Sequence, residues 1–392
     1  MTLFQLLEQH VHNGTLEVHL PDGSARSFGT GQPHASIHFH DSVALRRIAY
    51  DPGFEFGHTY MDGGWNPGAE GLRTLLAVAM DNFAGLLGQR GRNPLSFLEK
   101  MVQQGNRVRR SYRNVSHHYD LDEWLFRRFL DQGMFYSCAY FERPDMSLEE
   151  AQQAKCRLIA RKLCLEPGMR VLDIGCGWGG LAMYLAEAHG VTVDGLTLSQ
   201  EQLRVARAEC ERRGLSDRVR FHLRDYREHG DLYDRIVSVG MFEHVGQPYY
   251  RAFFEKCVEL LHGDGVMLLH TIGRTNPPAI TNAWLRRYIF PGGYTPALSE
   301  VSAAVEPTDL MVTDLEVWRL HYADTLAEWY RRFQAVRDEV ATRFDERFCR
   351  MWEFYLASCE GTFRHWDQVV FHVQLAREHG VVPVTRDYLF RP

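Results

Sequence analysis

Residues Val171 to Gly180, VLDIGCGWGG, decide the fold. A short apolar strand (Val171, Leu172, Ile174) runs into a glycine-dense turn, and an amphipathic helix follows through Leu181, Tyr184 and Leu185. Gly175, Gly177, Gly179 and Gly180 let the backbone bend tightly and let a ligand approach the main chain. In open α/β sheets, a turn at the carboxyl end of a first strand is where nucleotide-like ligands bind. GCGWGG also fits the dinucleotide pattern GxGxxG, so the turn alone does not choose the ligand. Three further features bear on that choice. Asp173 places a carboxylate below the turn, and the next strand ends at Leu196-Thr197-Leu198-Ser199 with no acidic residue at its tip. A later strand, Asp234 to Val239, leads directly into Met241-Phe242-Glu243-His244.

At 392 residues the chain is long enough for two domains. Its 45% hydrophobic and 24% charged content is that of a globular protein. A net charge of −6 argues against a general nucleic-acid binder. Lysine is confined to Lys100, Lys155, Lys162 and Lys256, so arginine supplies nearly all positive charge and can grip phosphate bidentately. The eight cysteines form no CxxC pair, which points to a reducing, cytoplasmic compartment and no zinc site. MTLFQLLEQHVHNG lacks the pattern of a signal peptide. No apolar run has the length to span a bilayer, so any membrane contact is expected to be peripheral.

The pattern of elements predicts two regions. In residues 1–105, Leu16–Leu20, the turn Pro21-Asp22-Gly23 and Ser24–Phe28 read as a hairpin. Ile37–His40 reads as a further strand and Gly71–Leu87 as a helix, which together make a small α+β domain. Gly91–Pro94 reads as a break, and residues 106–116 as a linker. From 117 to 392 strands and helices alternate, with strands at Val171, Val191–Thr197, Val219–Leu223, Asp234–Val239 and Gly265–His270. Ser199 is expected to cap a helix through Arg213, with Gln202 off its apolar face. Repeated βα units imply a parallel sheet covered on both faces. Helical patterns at Ala323–Arg350 and Met351–Leu375 predict a cap insertion over about 275–350.

These features together resemble a class I S-adenosylmethionine-dependent methyltransferase, a Rossmann-like α/β fold. Under that resemblance the glycines give the cofactor its close backbone approach. Thr197 and Gln202 are placed to reach ribose hydroxyls, and Tyr226 to lie over adenine. Glu243, His244, His270 and Tyr322 are candidates to converge at the carboxyl edge of the sheet. Taken singly, a histidine or cysteine is more often buried structure than chemistry.

Further blocks sharpen the resemblance: HHYDLDEWLFRRFLDQGMFYSCAYF (His117 to Phe141), GLTLSQEQ (Gly195 to Gln202), DRIVSVGMFEHVG (Asp234 to Gly246), MLLHTIG (Met267 to Gly273), YIFPGG (Tyr288 to Gly293) and HYADTLAEWYRRF (His321 to Phe333). With VLDIGCGWGG they resemble the cyclopropane-fatty-acyl-phospholipid synthases and the related mycolic acid cyclopropane synthases. GHTYMDGGW (Gly57 to Trp65) resembles the N-terminal domain of the phospholipid-acting members.

The resemblance implies that a cis double bond of an unsaturated phospholipid acyl chain attacks the methyl of S-adenosylmethionine. The cation then loses a proton from the transferred methyl and closes to a cyclopropane. Bound bicarbonate is the implied base, in a pocket of Cys138, Glu243, His270, Ile272 through its backbone, and Tyr322. Cys359 matches a second cysteine of the family. The implied cofactor-binding set is Tyr136, Ser137, Asp173, Gly175, Gly177, Gly179, Thr197, Ser199, Gln202, Tyr226 and Arg227. Asp122 and Tyr294 depart from the family pattern and leave acyl preference and product open; a methyl-branched or methylene fatty acid needs only a different fate of the same cation. A lipid-binding protein with a vestigial site and a small-molecule methyltransferase are the rival classes. The intact glycine turn with Glu243, His270 and Tyr322 argues against the first, and the N-terminal region against the second.

Lipid access is expected at the inner membrane surface, with Arg107, Arg109, Arg110 and Arg113 as candidate phosphate contacts. A homodimer is compatible with the sequence. His34, His38 and His40 lack a cysteine or carboxylate partner in the sequence, so no metal site is expected.

Overall fold

The computed structural model describes residues 3–89 and 123–390, the side chains of 84–89 excepted. The expected boundary at 105, the linker 106–116, the break Gly91–Pro94, the four candidate arginines Arg107, Arg109, Arg110 and Arg113, and Asp122 lie outside the described residues. Packing divides the rest into two compact units. The first contains residues 3–89, Ala279–Pro291 and Ala323–Asp367; the second contains residues 123–278, Gly292–Tyr322 and 368–390.

The first unit is built on a four-stranded sheet of β1 (Gly14–His19), β2 (Ala25–Thr30), β3 (His34–Phe39) and β4 (Trp65–Pro67), in the order β2-β1-β3-β4. β1 and β2 form the antiparallel hairpin read from the sequence, with Leu16 opposite Phe28. Asp22 Oδ1 accepts from the Ser24 amide at 2.9 Å and hydroxyl at 2.6 Å, and Gly23 takes the positive φ that the turn needs. Alternate residues Leu16 and Val18 turn inward, as a period of two requires. The helix Gly71–Gln89 buries Leu72, Leu75, Leu76 and Val78 at helical spacing. Residues of the long helix Glu346–His365 complete this core. Its buried Glu353 accepts from Tyr60 at 3.1 Å, Gln334 at 2.8 Å and Arg337 at 2.7 Å, which satisfies a carboxylate that would otherwise be costly inside.

Gly57, in the GHTYMDGGW stretch, sits where a Cβ would lie 2.6 Å from the Phe354 ring and 2.8 Å from the Trp284 indole nitrogen. Gly57→Ala is therefore expected to destabilise the first unit by about 1–3 kcal/mol through overpacking. A lowered thermal unfolding transition checks this; an unchanged transition contradicts it.

The second unit carries a seven-stranded sheet. Its strands are β5 (Arg170–Ile174), β6 (Thr192–Thr197), β7 (Val219–Leu223), β8 (Tyr233–Val239), β9 (Leu261–Arg274), β10 (Met311–Trp318) and β11 (Gln368–Ala376), in the order β10-β11-β9-β8-β5-β6-β7. β5 to β9 pair in parallel, while β11 and β10 add an antiparallel edge. The central parallel strands β5, β8 and β9 are largely buried on both faces, whereas the edge strand β7 alternates buried and exposed residues. β6 and β8 flank β5 on opposite sides, which makes the end of β5 a topological switch point.

Three expectations are corrected. The helical pattern over Met351–Leu375 is helix only to His365; Gln368–Ala376 is the strand β11, whose Val369, Val370, Phe371 and Val373 are β-formers buried in the sheet. The fifth strand runs from Leu261 to Arg274, well beyond Gly265–His270. Gln202, expected off the apolar face, is buried. The edge strand β10 is an element that the sequence reading does not single out.

Candidate active site

The glycine turn follows β5 directly. The amides of Gly175 and Cys176 both donate to the Leu196 carbonyl, at 3.0 and 2.9 Å, tying the turn to the end of β6. Gly175, Gly177 and Gly179 adopt φ of 87°, 53° and 84°, a region that side chains disfavour. Their surroundings differ. A Cβ on Gly175 would lie 2.7 Å from Met241 Cβ, and one on Gly179 2.6 Å from the Phe221 ring. A Cβ on Gly177 would meet nothing within 4 Å among the described residues. Packing thus demands two of the glycines, and the third opens onto space.

Asp173 lies buried beneath this turn. Burial pushes its carboxyl up to about 7, against the pull of the Lys155 ammonium. Its Oδ2 has no hydrogen-bond partner among the described residues, which fits a polar ligand group completing the site. Lys155 is a component that the sequence reading misses. It is fully buried, donates to Ser137 Oγ at 2.8 Å and lies 4.2 Å over the Phe135 ring. Burial lowers its pKa. A signal was present: Lys155 stands four residues from Ala151 and from Ile159, on the buried face of the helix Leu148–Lys162.

Lys155 and Gln152 hold the Tyr136-Ser137-Cys138 segment, Gln152 through a 3.1 Å bond to the Ser137 carbonyl. Asp131 shapes the approach to it by accepting from the Gly133 and Phe135 amides at 2.7 and 3.0 Å. Tyr136 packs edge-on against Phe126, which also meets Trp178 of the glycine turn. Beyond β6, Thr197 Oγ1 donates to Gln202 Oε1 at 2.9 Å, and Ser199 Oγ accepts from the Gln202 amide at 3.2 Å as the helix N-cap. Thr197, Ser199 and Gln202 are therefore one bonded cluster. After β7, Tyr226 packs edge-on against Phe253. Burial raises its phenol pKa. The Arg227 guanidinium grips Asp225 through bonds of 2.8 and 2.6 Å.

Glu243 lies in the short 3-10 turn Phe242–His244 that follows β8. Its Oε1 accepts from the Ile272 amide of β9 at 2.6 Å. Its Oε2 has no partner among the described residues. Burial pushes the carboxyl up to about 7. Burial also pushes the neighbouring His244 down to about 4. His270 is fully buried and stands opposite Val239 in the β8–β9 register, so β9 carries His270 beside the end of β8 and places Ile272, two residues on, against Glu243. Cys138 is buried, with its thiol 3.2 Å from the Ala139 carbonyl. Two residues on, Tyr140 packs on Trp318 and on His321, the residue preceding the buried Tyr322. Trp318 in turn lies edge-on to His270 at 5.3 Å. Cys359 lies on the helix Glu346–His365 of the first unit, where burial pushes its thiol up to about 12 and keeps it protonated at neutral pH.

A glycine turn at the switch point of a seven-stranded sheet, with polar groups at successive strand ends, is the arrangement of an S-adenosylmethionine-dependent methyltransferase. A crystal structure of the mycolic acid cyclopropane synthase CmaA1 complexed with SAH and CTAB superposes with a TM-score of 0.65 and 37% identity, covering 67% of this chain and 97% of that one. The cyclopropane-fatty-acyl-phospholipid synthase of Escherichia coli (strain K12) is 40% identical over 359 residues, 90% of this chain and 91% of its own. Cyclopropane mycolic acid synthase 1 of Mycobacterium tuberculosis (strain H37Rv) is 41% identical over 271 residues, 64% of this chain and 93% of its own. Residues 106–373 match the family described as mycolic acid cyclopropane synthetase, and residues 3–87 match a domain of unknown function. The chain belongs to the mycolic acid cyclopropane synthetase family.

Proposed function

We propose that this chain converts a cis double bond of an unsaturated phospholipid acyl chain into a cyclopropane ring, with bicarbonate as the base. The observation that carries the reading is Glu243: buried, one oxygen held by Ile272, the other without a partner among the described residues, and a carboxyl displaced to about 7. A carboxyl so placed keeps its proton in about half of the molecules at neutral pH, and the protonated form offers a hydrogen bond to an anion without giving the proton up, which removes the repulsion expected between Glu243 and bicarbonate. The likeness along 91% of the E. coli phospholipid enzyme favours a phospholipid substrate.

S-adenosylmethionine supplies an electrophilic methyl on a sulfonium. The glycine turn admits its main-chain contacts, and Asp173, Tyr136, Ser137, the Thr197–Ser199–Gln202 cluster, Tyr226 and the Asp225-bound Arg227 shape its slot. An alkene needs no prior deprotonation, so the chain's own contribution to methyl transfer is alignment and exclusion of water. The half-buried Tyr140 and the buried Tyr322 are aromatic rings of the kind that stabilise positive charge. Bicarbonate supplies the base that takes the last proton. Cys138, Glu243, His270 and Tyr322 would hold it, while the Ile272 amide, already donated to Glu243 Oε1, would act through that carboxyl. Stripping carbon dioxide from the buffers is expected to lower turnover about tenfold or more, the scale of a lost acid–base component, and added bicarbonate restores it. Turnover indifferent to bicarbonate contradicts this base.

No helix among the described residues is long and apolar enough to cross a membrane. The proposed reading has the protein meeting the cytoplasmic membrane surface peripherally, with Arg107, Arg109, Arg110 and Arg113 on lipid phosphate. At about 1 kcal/mol each, replacing all four by alanine is expected to weaken binding to anionic vesicles by about a hundredfold or more. Co-sedimentation measures this, and unchanged binding rejects the assignment.

A further inference from the structure

His270 and His372 face each other across the β9–β11 ladder, 102 residues apart in sequence. Nδ1 of His270 lies 2.7 Å from Nε2 of His372. Both rings are buried, and burial drives both pKa values well below the ordinary range, with Lys155 and Lys162 pushing the same way. Both rings are therefore neutral, and a single proton lies between the two nitrogens. Trp318 fixes the ring planes: it stacks on His372 at 3.9 Å and stands perpendicular to His270.

Two arrangements of that proton are possible, and they leave His270 with opposite chemistry. If His270 donates through Nδ1, His372 must carry its own proton on Nδ1. That atom has no partner among the described residues, so a buried N–H would be orphaned. If His372 donates through Nε2, only a lone pair is left at its Nδ1. The second arrangement puts the remaining N–H on His270 Nε2, which, unlike His372 Nδ1, is not among the buried atoms lacking a partner; since orphaned buried N–H groups are rarer than under-used acceptors, this selects the second arrangement. The other nitrogen of His270, Nε2, then carries the proton.

We infer that His372 is a positioning residue that holds His270 as the neutral Nε2–H tautomer, a hydrogen-bond donor to the anion beside Glu243. The inference rests on the bicarbonate reading above. An imidazolium would pass its proton to bicarbonate and consume the base, whereas a neutral N–H binds the anion and leaves it basic. A ring whose second nitrogen is fixed by a hydrogen bond is the general way of setting such a tautomer.

Two measurements test this. In buffers depleted of carbon dioxide, turnover is titrated with bicarbonate for wild type, His372→Gln and His372→Leu. The glutamine amide donates to His270 Nδ1, and leucine cannot. His372→Leu is expected to raise the half-saturating bicarbonate concentration about tenfold with S-adenosylmethionine binding unchanged, and His372→Gln to return it to within about threefold of wild type. Equal impairment of both variants overturns the inference and leaves His372 a packing residue. Histidine 15N spectra of the wild-type protein, with the His270 signal assigned by its loss in His270→Gln, read the tautomer directly. The Nε2–H form is expected and the Nδ1–H form overturns the inference. If wild-type turnover ignores bicarbonate, the functional reading fails, and the tautomer spectrum still decides the placement of the proton.

Discussion

Replacing Glu243 by glutamine lowers product formation by about 10²- to 10⁴-fold, the range for loss of a positioned acid–base group, while S-adenosylmethionine affinity stays within about threefold. The amide keeps the oxygen that accepts from Ile272, so the turn after β8 retains its tie to β9. What is lost is the carboxyl's ability to hold a proton toward the proposed anion. A large loss of cofactor affinity instead removes Glu243 from this role.

The same substitution carries a stability signature of opposite sign. The ordinary value of this carboxyl is 4.5, and burial raises it to about 7 in the folded protein. Between those values the folded chain keeps a proton that the unfolded chain has released, so stability falls as pH rises. The contribution is fully present below 4.5 and is lost as pH passes through about 7. Its size is on the order of 3 kcal/mol. Glutamine is neutral throughout. Thermal unfolding at pH 5 and pH 8 is therefore expected to show the variant gaining on wild type at the higher pH. A gap that does not change with pH contradicts a buried, proton-holding Glu243.

Gly175→Ala and Gly177→Ala separate packing from ligand binding in the turn. Both force a side chain into the left-handed region, at about 1–2 kcal/mol. Alanine at 175 also drives a methyl to 2.7 Å from Met241, two residues before Glu243. It is expected to lower thermal stability and turnover together. Alanine at 177 meets no atom of the described residues, so its methyl enters the space assigned to the cofactor. Weakened S-adenosylmethionine binding, about tenfold or more, is expected with only the backbone strain as a stability cost. Calorimetric titration of both variants checks this. Undiminished cofactor binding by Gly177→Ala shows that the turn is not the cradle.

The parts of the fold legible in the sequence are local ones. The glycine turn, the Pro21–Gly23 hairpin and the Ser199 cap each follow from a few adjacent residues whose backbone demands are specific. β11 was hidden because Val369, Val370 and Val373 fit helical as well as strand spacing. Only the partner strands β9 and β10 decide the matter. The candidate site was readable as residue types but not as contacts. Glu243 meets Ile272 across 29 residues and His270 meets His372 across 102, distances over which periodicity carries no information. Lys155 was readable from its place on a buried helix face, since a lysine among Ala151, Leu158 and Ile159 must find a polar partner there. Its partner, Ser137, needed the structure.

The most direct test of the proposed chemistry is to incubate the protein with methyl-labelled S-adenosylmethionine and vesicles of cis-monounsaturated phospholipid, and to weigh the released acyl chains. Chains heavier by one labelled CH₂, with no double bond left and resistant to mild hydrogenation, are the predicted result. Heavier chains that still hydrogenate would show a methylene or rearranged alkene product. Lipid that carries no label, from protein that binds S-adenosylmethionine, would contradict the account.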